Sequence, residues 1–278
     1  MESKKFYNED SDAEFLDKLI SEGVSFDLIL TDPPYNLGKD FGNDSDDLSL
    51  DDFLNTNRRR IEKCKDLLKE DGSIVWFAIH HLVGYLQVMM YKTGLEYRRM
   101  NIWHYENGFS RTKTAPRTEY EPFLWFSQSD SNWTYNADDV RVPYKSEERL
   151  ENPVYYTNSD GEKKAWTPNP DGRLRGDVWK FPTLAGKSYE GEKTEHPTQK
   201  PEALITELVK AFCPKDDDGN YNGSILDPYA GSGTLGVCCE KLNKNGHDID
   251  WICNEIESKW VEVSEGRVSE LRDTLFDE

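Results

Sequence analysis

The sequence predicts an α/β protein built on an open, mostly parallel, doubly wound sheet. Two near-continuous apolar runs, VSFDLILTD at 24–32 and SIVWFAI at 73–79, are typical of strands buried on both faces of a parallel sheet. Segments with helical spacing of apolar residues alternate with such strands, which favours parallel strands joined by helices. In SILDPYAGSGTLGVCCEKL, at 224–242, a strand runs through a glycine-rich turn into a helix, a connection that ligands use in such sheets.

The remaining elements follow in order along the chain. A short strand in KKFYNED precedes a predicted helix at 12–21, and a turn at Asp71–Gly72 leads into SIVWFAI. We further predict helices at 51–69 and 81–93, strands in RRMNIWHY and YEPFLWFSQ, a helix in PEALITELVKAF, a helix in TLGVCCEKLNK, a strand in DWICNEI and a terminal helix. From about 130 to 190, polar, basic and aromatic residues mix without a clear period, which predicts an inserted subdomain between 1–129 and 191–278.

The composition indicates a folded protein. Hydrophobic residues make up 36% of the 278, and eight tryptophans supply material for a core, which argues against general disorder. No apolar stretch approaches the roughly 20 residues of a membrane span, and MESKKFYNED lacks the apolar core of a signal peptide. The five cysteines form no C-x-x-C pair, and no cluster has metal-ligand spacing. We therefore expect reduced thiols, a cytoplasmic location and no metal.

The net charge of −19 argues at first against nucleic acid as a partner. The charge is unevenly distributed, however. Residues 101–200 hold 14 Lys and Arg against 16 Asp and Glu, a balance of −2, whereas the other 178 residues hold 20 against 37, a balance of −17. The middle of the chain is thus the part least repelled by phosphates, although an acidic surface also simply keeps a protein soluble.

Two short segments carry possible chemistry. D-P-P-Y at 32–35 ends a strand with two prolines, which cannot donate to the hydrogen-bond ladder of a sheet. Taken alone, the segment fits a turn that only ends the strand as well as it fits a functional motif. Gly231-x-Gly233 follows another strand, and Glu255 ends the next strand about twenty residues later. A carboxylate at that place accepts hydrogen bonds from ribose hydroxyls in nucleotide-binding α/β folds. The alternatives are a plain tight turn for the glycines and an exposed acid for Glu255.

Together, D-P-P-Y at 32–35, H-P-T-Q-K-P at 196–201 and D-P-Y-A-G-S-G-T at 227–234 resemble the motif set of S-adenosylmethionine-dependent DNA amino-methyltransferases. Their order, with the glycine turn last, is that of the beta group. The resemblance implies a Rossmann-like methyltransferase fold with circularly permuted motif order. It implies a catalytic half at 1–129, a target-recognition insert at 130–190 and a cofactor-binding half at 191–278. The implied reaction is methyl transfer to the exocyclic N6 of a flipped adenine in double-stranded DNA.

The resemblance also implies the catalytic roles. An exocyclic amine is a poor nucleophile and must be held in line with the methyl group. Asp32 and the carbonyl of Pro33 would accept its two N–H groups, while Pro33 and Pro34 fix the backbone. Tyr35 would supply a flat face for a base swung out of the duplex, a contact worth roughly 1–3 kcal/mol.

The resemblance further implies a set of residues for the cofactor, S-adenosyl-L-methionine. Asp10 matches the acid that reaches the adenine, although Asp12 lies close enough to compete. Lys200 suits the cofactor carboxylate, and His196 taken alone is also a plausible turn histidine. The predicted cofactor residues are Asp10, Asp32, His196, Thr198, Lys200, Asp227, Tyr229, Ala230, Gly231, Ser232, Gly233, Thr234 and Glu255.

The predicted partner is duplex DNA. Mixed cations and aromatics in the middle of the chain suit a groove-reading surface, although such residues are as common on solvated faces. The predicted DNA contacts are Arg111, Lys113, Arg117, Arg173 and Arg175. A homodimer and a cognate restriction endonuclease are compatible with the resemblance. The alternative functions are transfer to N4 of cytosine and a non-catalytic relative that binds DNA or the cofactor. D-P-P-Y, rather than S-P-P-Y, resembles adenine-N6 enzymes more than cytosine-N4 enzymes, which favours adenine.

Overall fold

The computed structural model describes residues 2–38, 47–108, 113–146, 148–151, 153–186 and 189–273. The strands are β1 Lys5–Tyr7, β2 Phe26–Thr31, β3 Leu68–Phe77, β4 Glu96–His104, β5 Tyr120–Ser127, β6 Val154–Thr157, β7 Lys163–Trp166, β8 Val178–Lys180, β9 Ser224–Asp227 and β10 Asp250–Asn254. The helices are α1 Leu16–Ser21, entered through a π-helical turn at Ser11–Phe15, α2 Leu50–Asp66, α3 Val83–Lys92, α4 Glu148–Glu151, α5 Glu202–Phe212, α6 Thr234–Lys244 and α7 Ser258–Asp273.

An eight-stranded sheet organises this described part of the chain, in the order β1-β10-β9-β2-β3-β5-β4-β8. Neighbours from β1 to β3 are parallel. β5 is antiparallel to both β3 and β4, and β8 is parallel to β4. Within this sheet β5 alone therefore runs against the other strands, and the predicted open, mostly parallel sheet is confirmed.

Both faces of the sheet are covered, as the apolar strand runs require. Along β2, Leu28 and Leu30 belong to one core cluster, which includes residues of α5, α6 and α7. Ile29 belongs to the other cluster, which includes residues of α1, α2 and α3. Because successive strand residues point to opposite faces, a strand buried on both sides must be apolar throughout. The sheet is doubly wound for this reason.

One prediction of local structure needs correction. The turn predicted at Asp71–Gly72 lies inside β3, which continues through it with a bulge: Phe26 pairs with Leu68, but Leu28 pairs with Ser73. The insert at 130–190 stays a prediction, and part of this segment contacts the rest of the fold. Its β8 joins the main sheet, and Val140 and Trp179 are buried in the main core. Only β6 and β7, among the described strands, form a sheet of their own.

The adjacency of β2 and β9 positions the site. Leu28 pairs with Ile225 and Ile29 with Leu226, although these strands are nearly two hundred residues apart in sequence. From β9 the chain continues through α6 to β10 on one side, and from β2 it continues through α2 to β3 on the other. The strand order thus reverses between β9 and β2, and in open α/β sheets the ligand crevice lies at the carboxyl ends of such strands.

Candidate active site

A large cleft opens at the carboxyl ends of β2 and β9. It contains about 1330 Å³ of empty space, part of which is open to solvent. Of the residues predicted for catalysis or cofactor binding, all but Gly233 line it: Asp10, Asp32, Pro33, Pro34, Tyr35, His196, Thr198, Lys200, Asp227, Tyr229, Ala230, Gly231, Ser232, Thr234 and Glu255. The fold therefore brings together three motifs that are widely separated in the sequence.

One end of the cleft holds a cluster of charged and phenolic groups around Asp32. Tyr35 Oη donates to Asp32 Oδ1, and Lys200 Nζ donates to Asp32 Oδ2. Glu121, from β5, completes the cluster: its Oε2 lies 3.2 Å from Lys200 Nζ and 3.2 Å from Tyr35 Oη. Burial and the two carboxylate charges raise the pKa of Tyr35 well above its usual value, so its hydroxyl stays protonated as a donor.

Lys200 lies in this cluster. Its ammonium is buried and paired with Asp32 and Glu121, and its expected contact with the cofactor carboxylate stays a prediction. Burial alone would lower the pKa of Lys200, yet the charges of these two acids outweigh that effect and raise it. The residue therefore remains a cation held at the catalytic end of the cleft.

The glycine turn approaches its neighbours so closely that side chains are excluded. Gly231 has φ +53°, and a Cβ there would lie 2.9 Å from the His196 ring. Gly233 has φ +72°, and a Cβ would lie 2.5 Å from Cβ of Ser264 on α7. Gly233 thus packs behind the turn, which explains why it does not line the cleft. His196 in turn packs edge-on against Trp260, with ring centroids 4.8 Å apart.

Two acids hold this turn in place. Asp227, at the end of β9, accepts hydrogen bonds from Thr31 Oγ1 at 2.8 Å and from the Tyr229 amide at 3.1 Å. Burial raises the pKa of Asp227 to about 7. Glu255 accepts from the Gly231 amide at 2.9 Å, and burial also raises its pKa. Asp227 therefore ties the end of β2 to the turn, and Glu255 ties the turn to the end of β10.

The other end of the cleft contains residues that sequence reasoning missed or ranked second. Asp12 receives two hydrogen bonds from Arg60, at 2.8 and 2.6 Å, and one from Tyr229 Oη at 2.7 Å. Burial alone would raise the pKa of Asp12, but the hydrogen bonds and charge of Arg60 hold it below its usual value. Asp10 accepts the Asp12 amide at 2.8 Å, within the π-helical turn. Arg60 lies on α2 and belongs to no motif. The sequence alone does not distinguish a buried arginine from an exposed one.

The residues predicted to contact DNA differ in their exposure and in their partners. Arg111 lies outside the described residues. Arg175 is engaged within the fold, since it donates to Glu207 at 2.7 Å and its guanidinium lies 4.6 Å from the centroid of the Trp179 ring. Arg117 pairs with Glu119. Lys113 and Arg173 are exposed, as the prediction requires, and so are Tyr155, Tyr156, Lys163, Lys164 and Trp166 on the β6–β7 hairpin.

Other chemistry finds little support in the part of the chain described. No group of His, Cys, Asp and Glu there is arranged to hold a metal ion. All five cysteines are free thiols in the core. None of the helices formed by the described residues has the length and apolar character needed to cross a bilayer.

Comparisons with known proteins agree with this geometry. A family model described as DNA methylase matches residues 26–266. The Type II methyltransferase M1.MboII of Moraxella bovis is 34% identical over 238 residues, which cover 84% of this chain and 86% of the relative. The DNA adenine methyltransferase YhdJ of Escherichia coli (strain K12) is 30% identical over 262 residues, covering 94% and 81%. A crystal structure of the M1.HpyAVI–SAM complex superposes with a TM-score of 0.64 at 21% identity, covering 95% of this chain and 98% of that one, which shows the fold.

Proposed function

The chain belongs to the DNA methylase family, and from that premise we propose that it transfers a methyl group from S-adenosylmethionine to N6 of adenine in duplex DNA. The observation that carries this proposal is the meeting of the D-P-P-Y strand with the glycine turn. Thr31, which precedes the motif, donates to Asp227 of the turn at 2.8 Å. A group bound at the turn and a base held by Asp32 would therefore share one cleft, as a direct transfer requires.

The residues of the cleft fit the cofactor. The backbone at Gly231 lines the cleft, has positive φ and carries no side chain, which leaves room for close approach of a ligand. Glu255 lies at the end of β10, the place from which a carboxylate accepts ribose hydroxyls. When bound, S-adenosylmethionine supplies an electrophilic methyl group on a sulfonium. We propose that Glu255 holds its ribose and that Asp10 and Asp12 hold its adenine end.

Asp32 and its neighbours orient the target amine. A carboxylate has about four lone-pair sites, so Asp32 retains acceptor capacity beside its bonds to Tyr35 and Lys200. It accepts one N–H of the amine, and the carbonyl of Pro33 accepts the other. These two acceptors direct the nitrogen lone pair toward the methyl group. Tyr35 is held by its hydroxyl to Asp32 and Glu121, which leaves its ring to stack on the base.

Adenine is favoured over cytosine by the aspartate at position 32 and by the similarity to a DNA adenine methyltransferase. A non-catalytic relative is disfavoured, because Asp32, Asp227 and Glu255 all line the cleft.

We propose that the DNA lies against the exposed β6–β7 hairpin, Lys113 and Arg173. Two further predicted partners, a second copy of the chain and a cognate restriction endonuclease, stay predictions, and sedimentation of the purified chain measures the first.

The test is a methyl-transfer assay. The protein is incubated with labelled S-adenosylmethionine and duplex DNA, the DNA is digested, and the labelled nucleoside is identified. N6-methyladenine supports the proposal. N4-methylcytosine would move the chain to the sister activity, and cofactor binding without any label in DNA would favour the binding-only relative.

A further inference from the structure

Glu121 belongs to none of the three motifs, yet it takes part in the cluster around Asp32. It is the second residue of β5, where it pairs in register with Trp103 of β4. Its side chain is 20% exposed and that of Lys200 is 7% exposed. Glu121 Oε2 lies within 3.2 Å of both Lys200 Nζ and Tyr35 Oη. The acid therefore contacts two of the three groups that surround the proposed amine site without itself being placed to bind the amine.

The cluster has more negative than positive charge. Asp32 and Glu121 contribute two carboxylates, Lys200 contributes one ammonium, and Tyr35 is a neutral hydroxyl. The sum is −1. Without Glu121, Lys200 would have Asp32 as its sole carboxylate in this cluster, and the sum would be zero. A carboxylate fully engaged by an ammonium is a weaker acceptor for a further N–H group, since the same lone pairs and charge are shared.

Methyl transfer places positive charge on the amine nitrogen. The nitrogen lone pair forms the new bond to the methyl carbon while the carbon–sulfur bond breaks and its electron pair remains on sulfur. The positive charge thereby passes from sulfur to nitrogen, and one proton then leaves the nitrogen to Asp32 and on to solvent. Fixed negative charge beside the nitrogen stabilises this charge as it develops, and such preorganised electrostatics are a large part of catalysis.

We propose that Glu121 is a positioning residue for this transfer. It shares Lys200 with Asp32, which keeps Asp32 available as an acceptor and leaves net negative charge facing the amine. This inference rests on the proposed function. It also assigns Lys200 a place in the catalytic cluster rather than at the cofactor carboxylate.

The test is the single-turnover rate of methyl transfer by Glu121→Gln, which keeps the size of the side chain and removes its charge. We expect the rate to fall about 10- to 100-fold, less than the roughly 10²- to 10³-fold typical of a group in direct contact with the reacting atoms. The dissociation constant for S-adenosylmethionine should change less than about twofold, and the fluorescence of 2-aminopurine at the target position, which reports base flipping, should be unchanged, because Glu121 is not among the residues that line the cleft.

Two further variants make the test decisive. Glu121→Asp retains the charge and should recover most of the rate, and Glu96→Gln, which neutralises an exposed acid at the start of β4, should behave as wild type. The inference is overturned if Glu121→Gln transfers at the wild-type rate, if Glu121→Asp is as slow as Glu121→Gln, or if Glu121→Gln loses rate together with cofactor affinity or melting temperature. A wild-type protein that labels no DNA would instead overturn the proposed function, and labelling of cytosine would overturn the adenine assignment alone.

Discussion

At the scale of single residues, the site depends on half-buried and buried carboxylates whose environments differ. Asp32 is paired with a cation and a phenol, Asp12 is paired with Arg60, and Asp227 is held by neutral donors only, Thr31 and a backbone amide. A buried carboxylate with a cationic partner stays ionised, whereas one with neutral donors has a raised pKa. The pKa of Asp12 is therefore held below its usual value, whereas burial raises the pKa of Asp227 to about 7.

Removing the side chain of Asp32 should abolish methyl transfer and leave the fold intact. In Asp32→Ala the amine loses its acceptor, but the buried ammonium of Lys200 keeps Glu121 as a partner, so no charge is left unpaired. We expect no labelled nucleoside, with a melting temperature close to wild type. Asp66→Ala, which removes an exposed acid at the end of α2, is the matched control. Transfer by Asp32→Ala would show that the role given to Asp32 is wrong.

The raised pKa of Asp227 predicts how stability depends on pH. The folded state holds a proton on this acid up to about pH 7, whereas an unfolded chain releases it near pH 4. Between these values the folded state binds more protons, so the stability that this group contributes is present at low pH and is lost as pH rises toward 7. Each unit of the difference corresponds to about 1.4 kcal/mol.

The measurement is the free energy of unfolding in urea at several pH values for wild type and Asp227→Asn. The amide keeps an acceptor oxygen for Thr31 and Tyr229 but does not titrate. We expect the variant to gain in stability relative to wild type between pH 5 and pH 8. A difference that does not change over this range would contradict the assignment.

At the scale of the elements, the glycine turn between β9 and α6 shows why local pattern was informative. The helix predicted in TLGVCCEKLNK begins at Thr234 and ends at Lys244, and both bounds are confirmed. Strand, turn and helix are consecutive here, so their signals need no distant partner. The short strands β6, β7 and β8 were missed, because polar, basic and aromatic residues mix in this part of the chain without a clear period.

The turn also gives a test at this scale, in which Gly231→Ala is compared with Gly246→Ala. Both glycines have positive φ, but a Cβ at Gly246 meets nothing within 4 Å, whereas one at Gly231 lies 2.9 Å from the His196 ring. Both variants bear the backbone strain, of order 1–3 kcal/mol. We expect Gly231→Ala alone to weaken cofactor binding, measured by titration calorimetry. Equal affinities in the two variants would show that the close approach to His196 does not matter for binding.

At the scale of the whole molecule, the charge distribution is consistent with a DNA partner despite the net −19. The β6–β7 hairpin forms a separate sheet and exposes lysines beside aromatic side chains. Removing this hairpin's cations should therefore affect DNA binding without affecting the core.

Lys163→Ala/Lys164→Ala should weaken DNA binding and reduce its salt dependence. Each phosphate contact contributes about one unit to the slope of log K against log salt, so we expect the slope to become shallower by up to about two. Cofactor affinity and melting temperature should be unchanged. The control is Arg58→Ala/Lys92→Ala, which removes two exposed cations from α2 and α3. An identical slope in both double variants would place the DNA elsewhere.

The sequence by itself determined the fold class, the bounds of the helix after the glycine turn and a set of site residues of which all but Gly233 line the cleft. Apolar runs, periodicity and three short motifs are local signals, and each is complete within a few residues. Tertiary structure alone decided which charges meet. Glu121 and Arg60 contact residues of the site, Lys200 pairs with Asp32, and Arg175 pairs with Glu207 within the fold. Ion pairs between residues far apart in sequence form only when the sheet order brings their strands and helices together.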